Sequence, residues 1–571
     1  MSQPILPTPP GEPSQHSYTT WIATAKKEWA KQEARTARIN GAGRYADHPH
    51  IDKLVEEAGR HARVDVEVFI GRLLEHAHPA GLDSRSEDPD IRKRAKQLAS
   101  VWSYKDWLRV FESDAWPLAA AQLDVAQVAP PPGTPKAAAK RAKNEMWWRR
   151  RLRDTLRTGR GRIDTLLGLV EKYVSPFAAQ NRREQETRSR ETLERLDAVS
   201  NEGDRVNVAQ VADAGRRGRA ARLKAQAFGY AARAQAEGLT GYLVTLTCPS
   251  RMHPGSHKWD GTMPDEAAEW LREQWRLWYN REGRMTQSRE PLHAYMLSVV
   301  EPHKDGAPHL HAVVWTDEGD RLREGLREYF LYASDPEEPG ADERRVQVEA
   351  ARSQGGAVVY ALKYATKYAT PEALTQETAP KTEPEFRHED NTVAVRAWRG
   401  QWGIRGFDFA ATHQQAPPVG VWDELRRVPM MDPTHPLFPQ WQAAQGADWA
   451  GFMDSWSQAP SRVVYEVKVN AYGEEVRGAP RGVDLRVGGA YLETRPLTWS
   501  IEPKPPEEDP ACYEKPVSPG VAIVDRGPRG ATEPTGTGPK MAAFRGTDPP
   551  PRDLAVFDSV AEDDDIPFDY E

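Results

Sequence analysis

The segment Val300-Glu-Pro-His-Lys-Asp-Gly-Ala-Pro-His-Leu-His-Ala-Val-Val-Trp315 sets an acid and two histidines on what reads as a single β-hairpin. Pro302, Asp305, Gly306 and Pro308 are turn formers, and the flanking runs Ala294–Val300 and Ala312–Trp315 are apolar enough to be strands. Side chains at i and i+2 of a strand share a face, so His309 and His311 point the same way while Leu310 packs on the other. A chain that folds back near Asp305 returns Glu301 to their side. One carboxylate and two imidazoles suit Mg²⁺, Mn²⁺ or a similar divalent cation better than a structural zinc. An open metal site on strands implies chemistry rather than scaffolding.

Strand character also appears upstream, in Gly241-Tyr-Leu-Val-Thr-Leu-Thr247, where apolar and β-branched residues recur. A helix over Pro264–Arg281 follows, with Trp270, Trp275 and Trp278 on its apolar face. After the hairpin come a helix near Arg321–Tyr332, a short strand around Arg345–Glu349 and a helix from Ala357 to about Thr370. This β-α-β-β-α-β-α order predicts an α+β domain, residues 238–375, with a central antiparallel sheet and flanking helices.

Outside that domain, residues 1–17 read as a disordered leader and 18–129 as a mainly helical region. Amphipathic patterns run over Ile51–His76 and Ile91–Phe111, and Trp102, Trp107 and Trp116 are the expected core anchors. Residues 130–136 form a Pro-rich linker, and 137–237 a basic helical region expected to contact DNA. Residues 390–500 read as an accessory C-terminal region, and 501–571 as a disordered, Pro-rich acidic tail ending Glu562-Asp-Asp-Asp565.

With 571 residues the chain can bury a full core in several domains. The net charge of −7 would argue against a nucleic-acid partner, but the average hides an asymmetry. From Lys136 to Arg233, Lys and Arg outnumber Asp and Glu by about two to one, and the tail reverses the balance. Arginine dominates that stretch, and its planar fork suits phosphate. A solvated helical face laced with ion pairs is the plainer reading. The two cysteines, Cys248 and Cys512, support neither a disulfide framework nor a cysteine zinc site, which points to a reducing cytoplasm. No run of about eighteen apolar residues is present, so no membrane association is expected.

A second constellation lies in Val359-Tyr-Ala-Leu-Lys-Tyr-Ala-Thr-Lys-Tyr-Ala369. Tyr360, Tyr364 and Tyr368 fall at i, i+4 and i+8 on one helix face, with Lys363 and Lys367 on the adjacent one. Tyrosine at this spacing is usually core packing. The neighbouring lysines weaken that reading, because their charge favours phenolate or binds phosphate. The chemistry closes if the substrate is a phosphodiester. A cation at Glu301, His309 and His311 polarises the phosphate, and a tyrosine attacks phosphorus to leave a 5′-phosphotyrosine and a free 3′-hydroxyl. A second tyrosine one turn away could accept the next junction while the first is occupied.

These residues resemble the HUH endonucleases and, more narrowly, the phage replication gene A protein family. His309-Leu310-His311 is similar to the family's His-hydrophobic-His motif, and Tyr360-Ala-Leu-Lys-Tyr-Ala-Thr-Lys367 to its two-tyrosine motif. Leu243-Val-Thr-Leu-Thr-Cys-Pro-Ser250 is similar to the upstream strand motif. Further likeness lies in Trp147–Leu152, Ala397–Arg405 and Val421–Arg427. The resemblance implies an HUH-like fold, site-specific nicking of single-stranded or supercoiled origin DNA, and 5′ attachment through tyrosine. Strand transfer would then initiate and terminate rolling-circle replication in the bacterial host cytoplasm. It also implies a divalent cation, no small-molecule organic cofactor, and cooperation with a host replicative helicase and DNA polymerase. Carried over by position, His309, His311 and Glu301 are metal ligands, Tyr360 and Tyr364 nucleophiles, and Lys363 and Lys367 phosphate or metal-site helpers. Tyr368 reads as packing or DNA stacking, His303 as a solvated turn histidine, and His253 and His257 as loop residues. A relaxase or transposase of the same metal-hairpin type, and a non-catalytic origin-binding protein, are the alternatives. The paired tyrosines argue against the enzymatic alternatives, and the Tyr/Lys helix against the non-catalytic one. The Trp and Arg density at 147–160 and 398–405 suits single-stranded DNA, with burial of the tryptophans as the competing reading.

Overall fold

A computed structural model describes residues 82, 88–166, 168–283, 290–333, 338–352, 356, 389–412 and 416–505. Tyr360, Lys363, Tyr364, Lys367 and Tyr368 lie outside these residues, as do the leader, the pattern at Ile51–His76 and the chain beyond 505. The chain is α+β, with a helical N-terminal region and antiparallel sheets.

Helices Asp88–Ser100, Tyr104–Glu112, Trp116–Gln122, Pro135–Ala142 and the first half of Glu145–Leu166 enclose one aromatic core. Trp107 and Trp148 are fully buried with ring centroids 6.2 Å apart, and Trp102 and Trp116 pack on Trp107. Trp147 is buried in the same core, so this tryptophan pair packs protein rather than offering DNA a stacking surface. The pattern over Ile91–Phe111 is two helices, because Ser103 is extended and starts a new one. Its hydroxyl accepts from the Asp106 N–H at 3.3 Å, and the Asp106 carboxylate accepts from the Ser103 N–H at 3.2 Å. Packing crosses the Pro-rich stretch 130–136. Thr134 caps Pro135–Ala142, whose buried alanines let that helix lie close to its neighbours.

The basic stretch is not helical throughout. Between helices Pro176–Glu194 and Val208–Ala236 lie strands β1 (Leu196–Ser200) and β2 (Arg205–Asn207). β1 pairs antiparallel with β2 and with Trp499–Pro503. Order therefore extends past Ile501, where the tail was expected to begin, because the N–H and C=O groups of β1 need a partner strand.

The central sheet contains β3 (Thr240–Thr247), β4 (Tyr295–Pro302), β5 (Pro308–Thr316), β6 (Val346–Ala350) and β7 (Phe407–Ala411), in the order β6-β3-β5-β4-β7, all antiparallel. Every residue of β4 is buried, because both faces of the sheet are covered. On one face, Val244, Leu246, Met296, Val300, Leu310 and Val314 pack with Leu271 and Trp278 of helix Pro264–Glu282. On the other, Leu297, Val313 and Trp315 meet Ala227 and Tyr230 of helix Val208–Ala236, with Trp422, Trp449 and Phe452 from helices Val419–Arg427 and Trp449–Gln458. The region 390–500 thus supplies an edge strand and a covering layer to the sheet. It adds β8 (Ser461–Val469), β9 (Glu475–Leu485) and β10 (Tyr491–Glu493) as a separate antiparallel sheet.

Candidate metal centre

β4 and β5 form the hairpin read from the sequence, extended toward the turn by two residues on β4 and four on β5. Glu301 stands directly opposite His309, and His311 opposite both Val299 of β4 and Thr245 of β3. The odd-numbered side chains of this hairpin share the sheet face of Leu297 and Val313, so the register brings Glu301, His309 and His311 together beyond the end of that core. Their ligand atoms all lie within 4.8 Å of one another. Glu301 is 4 % exposed and His311 8 %, while His309 is half-buried.

The ring orientations suit a shared cation. The two Nε2 atoms of His309 and His311 are 3.2 Å apart. Two nitrogens bound at about 2.1 Å to one ion sit about 3 Å apart, so the observed spacing fits the bite of a metal. Thr245 Oγ1 lies 3.1 Å from His311 Nδ1 and holds that ring with Nε2 facing His309. With a carboxylate as third donor, the set fits a divalent cation with open positions.

The turn that closes the hairpin is rigidly held. Gly306 has φ of +88°, and its carbonyl accepts from the indole Nε1 of buried Trp398 at 2.8 Å. The carbonyl of Lys304 accepts from the Tyr173 N–H at 3.0 Å, and Tyr173 itself adopts a left-handed φ of +71°. Trp398 and Trp402 are both buried, so at 398–405 too the tryptophans are core rather than a stacking surface. Burial, and then the charges of Arg405 and Arg399, lower the pKa of Arg272.

A second cluster, missed in the sequence reading, flanks the first. His253, beyond β3, and His303 and Asp305, in the turn, bring their ligand atoms within 4.8 Å of one another. His303, expected as a solvated turn residue, stands edge-on to His253 at 5.5 Å between ring centroids and to His309 at 5.4 Å. Partial desolvation in the turn pushes the half-exposed His303 imidazole down and His253 adds to this, against the opposing pull of Asp305. Burial alone would raise Asp305, but hydrogen bonds from His253 and from the N–H groups of Ala307 and Gly255 hold it below the usual carboxylate range. Cys248 has its thiol pushed up by burial, with Sγ 3.4 Å from the Pro308 carbonyl, so it packs rather than reacts.

An α+β chain with a histidine–carboxylate cluster on the central hairpin of its sheet is the class defined so far. Residues 124–369 match the model of the bacteriophage replication gene A protein family. The matched stretch contains both the hairpin and the Tyr360–Lys367 segment. The chain is 28 % identical over 399 residues to the replication gene A protein of Escherichia phage 186, covering 64 % of this chain and 56 % of that protein. It is 31 % identical over 277 residues to the replication protein of Haemophilus phage HP1 (strain HP1c1), covering 46 % and 34 %. It is 27 % identical over 210 residues to a protein of Salmonella paratyphi A named "Probable replication endonuclease from prophage-like region", covering 34 % and 26 %. The chain therefore spans about half or less of the length of these relatives. No solved structure matches it. Among the described residues, no helix is long and apolar enough to cross a membrane.

Proposed function

We propose that this chain is a metal-dependent, site-specific DNA nickase and strand transferase of the HUH type that initiates and terminates rolling-circle replication at a phage origin. The observation that carries the reading is the convergence of Glu301, His309 and His311 on adjacent antiparallel strands, with two Nε2 atoms 3.2 Å apart. The relatives' names, replication protein and replication endonuclease, support a role in DNA replication with strand cleavage.

Glu301, His309 and His311 would hold Mg²⁺ or Mn²⁺, which supplies polarisation of the scissile phosphate and relief of charge on its oxygens. Thr245 engages Nδ1 and so orients the His311 ring with Nε2 toward His309, and the clamped turn keeps Glu301 in register with His309. The nucleophile is the phenolic oxygen of Tyr360 or Tyr364. It forms a bond to phosphorus as the bond to the 3′-oxygen breaks, and the 3′-oxygen leaves with a proton as a hydroxyl. The bond energy stays in the 5′-phosphotyrosine, so the second tyrosine can take over a new junction and the first 3′-hydroxyl can rejoin a strand. Lys363 and Lys367 offset phosphate charge and favour the phenolate. The substrate is single-stranded or supercoiled origin DNA, and a free 3′-hydroxyl calls for a host helicase and polymerase in the host cytoplasm.

The test is a nicking assay of the full chain on supercoiled origin DNA with Mg²⁺ or Mn²⁺. A covalent 5′ adduct should form, persist at reduced level in Tyr360→Phe or Tyr364→Phe, and vanish in the double variant. An adduct that persists in the double variant overturns the nucleophile assignment.

A further inference from the structure

We propose that His253, His303 and Asp305 form a second divalent-cation site, distinct from Glu301, His309 and His311 but with the same set of two imidazoles and one carboxylate. The cluster joins two chain segments that meet only in the fold, the loop after β3 and the hairpin turn, and its three ligand atoms lie within 4.8 Å of one another. Two imidazoles and one carboxylate accept Mn²⁺ and also Zn²⁺, which serves as a probe of both sites, and three protein ligands leave positions open.

Asp305 is oriented before any ion binds. Its Oδ1 accepts from the Ala307 N–H at 3.1 Å, and its Oδ2 accepts from the Gly255 N–H at 3.1 Å and lies 3.3 Å from His253 Nδ1. A carboxylate has about four lone-pair sites, so these contacts leave capacity for a metal while fixing its direction. Gly255 permits the approach: a Cβ there would stand 3.1 Å from Asp305 Oδ2. The turn hydrogen bonds account for the placement of Asp305. The turn also holds His303, whose N–H donates to the Ala307 carbonyl at 2.6 Å and whose carbonyl accepts from the Gly306 N–H at 2.8 Å, and its half-exposed side chain stands 4.0 Å from the same carboxylate and edge-on to His253.

The two clusters share no ligand and meet where His303 faces His309. A second cation held here would lie beside the first site and would supply further positive charge to the phosphates of a bound strand. That role rests on the nickase reading, whereas the existence of the site does not.

The decisive experiment counts Zn²⁺ bound to the metal-stripped full chain, by competition with a chromophoric chelator and without DNA. The wild type should bind two equivalents. His303→Ala, a change at an exposed side chain, should lose one and keep the other, as should Asp305→Asn, which retains an oxygen for the turn. His309→Ala should lose the other equivalent, and the His303→Ala/His309→Ala double variant should lose both. Two equivalents retained in His303→Ala overturn the proposal, because those residues then bind nothing. One equivalent in the wild type that survives His303→Ala and disappears in His309→Ala overturns it too, while leaving the nickase site intact. An ionic tie of protonated histidines to Asp305 without a metal would give that second result.

Discussion

Glu301 and Glu424 are the same residue at nearly the same burial, 4 % and 3 % exposed, yet their neighbours assign them opposite work. Glu424, on helix Val419–Arg427, is met by donors alone. Arg495 gives bonds of 2.6–3.1 Å to both oxygens, Thr494 Oγ1 donates at 2.5 Å, and Arg427 lies at 3.5 Å. Such a carboxylate is neutralised within the protein and ties the segment at 494–495 to the helical layer behind the sheet. Glu301 shares its cluster with two imidazoles, which in their neutral form offer lone pairs. A carboxylate and two imidazoles that aim lone pairs at one place form a set that a cation can occupy, which Arg495 and Thr494 do not leave open at Glu424. Burial of an acid says little about function; the polarity of what faces it decides.

The comparison breaks most sharply under substitution. Glu301→Ala or His309→Ala should reduce nicking by more than about a hundredfold, beyond the roughly 10–100-fold typical of groups that only orient a ligand. Thermal unfolding of the metal-free chain should hardly change, so a collapse of stability in either variant would make Glu301 a structural acid like Glu424. Glu424→Gln should do the reverse. It leaves Arg495 buried without its counter-charge, at a cost of about 3–5 kcal/mol, with nicking per folded molecule preserved. A pH series adds a sign. Burial opposes ionisation of Glu424, but the bonds and charge of Arg495, the charge of Arg427 and the bond from Thr494 win and hold its pKa below the usual 4.5 of a glutamate. Its stabilisation is therefore fully present above about 4.5, the range of an unfolded carboxyl, and is lost as pH falls through the lower folded value. The gap in urea midpoint between wild type and Glu424→Gln should be constant from neutral pH down to that point and then narrow. A gap that widens on acidification contradicts the assignment.

Much of this contrast was legible in the sequence for Glu301 and none of it for Glu424. The hairpin announces itself because period-2 alternation, turn formers and ligands fall within one short run, and cross-strand register follows from the turn. The α+β order and the sheet strands from β3 to β6 were readable for the same reason. What escaped reading depends on partners distant in the chain. β1 is a short strand inside a basic helical stretch and makes sense only beside Trp499–Pro503. Glu424 and Arg495 are charged residues that sequence alone would place at the surface. His253 meets His303 and Asp305 across a loop closure that no spacing rule encodes. The tryptophans at 147–148 and 398–402 looked alike whether bound for a core or for DNA, and burial alone separates the two.

Smaller changes sharpen the same distinction. Thr245→Val removes the hydroxyl that engages His311 Nδ1 while keeping a β-branched residue in β3. Metal affinity of the first site should fall by about 10–100-fold, with nicking restored at saturating Mn²⁺. Nicking that stays low at saturation would mean that Thr245 acts on the reacting groups and not through the ligand.

The weakest effect belongs to Arg427, and it tests how complete the neutralisation of Glu424 is. Arg427 approaches Oε1 at 3.5 Å with its side chain 25 % exposed, whereas Arg495 is 4 % exposed and bonds both oxygens. A partly solvated ion pair of this kind contributes no more than about 1 kcal/mol, because water screens it and the long side chain loses freedom in making it. Arg427→Ala should therefore shift the urea midpoint slightly, far less than Glu424→Gln, and combining the two should cost about the same as Glu424→Gln alone. Additive losses in the double variant would show that Arg427 holds the helix by contacts of its own, and would leave Arg495 and Thr494 as the sole neutralising partners of Glu424.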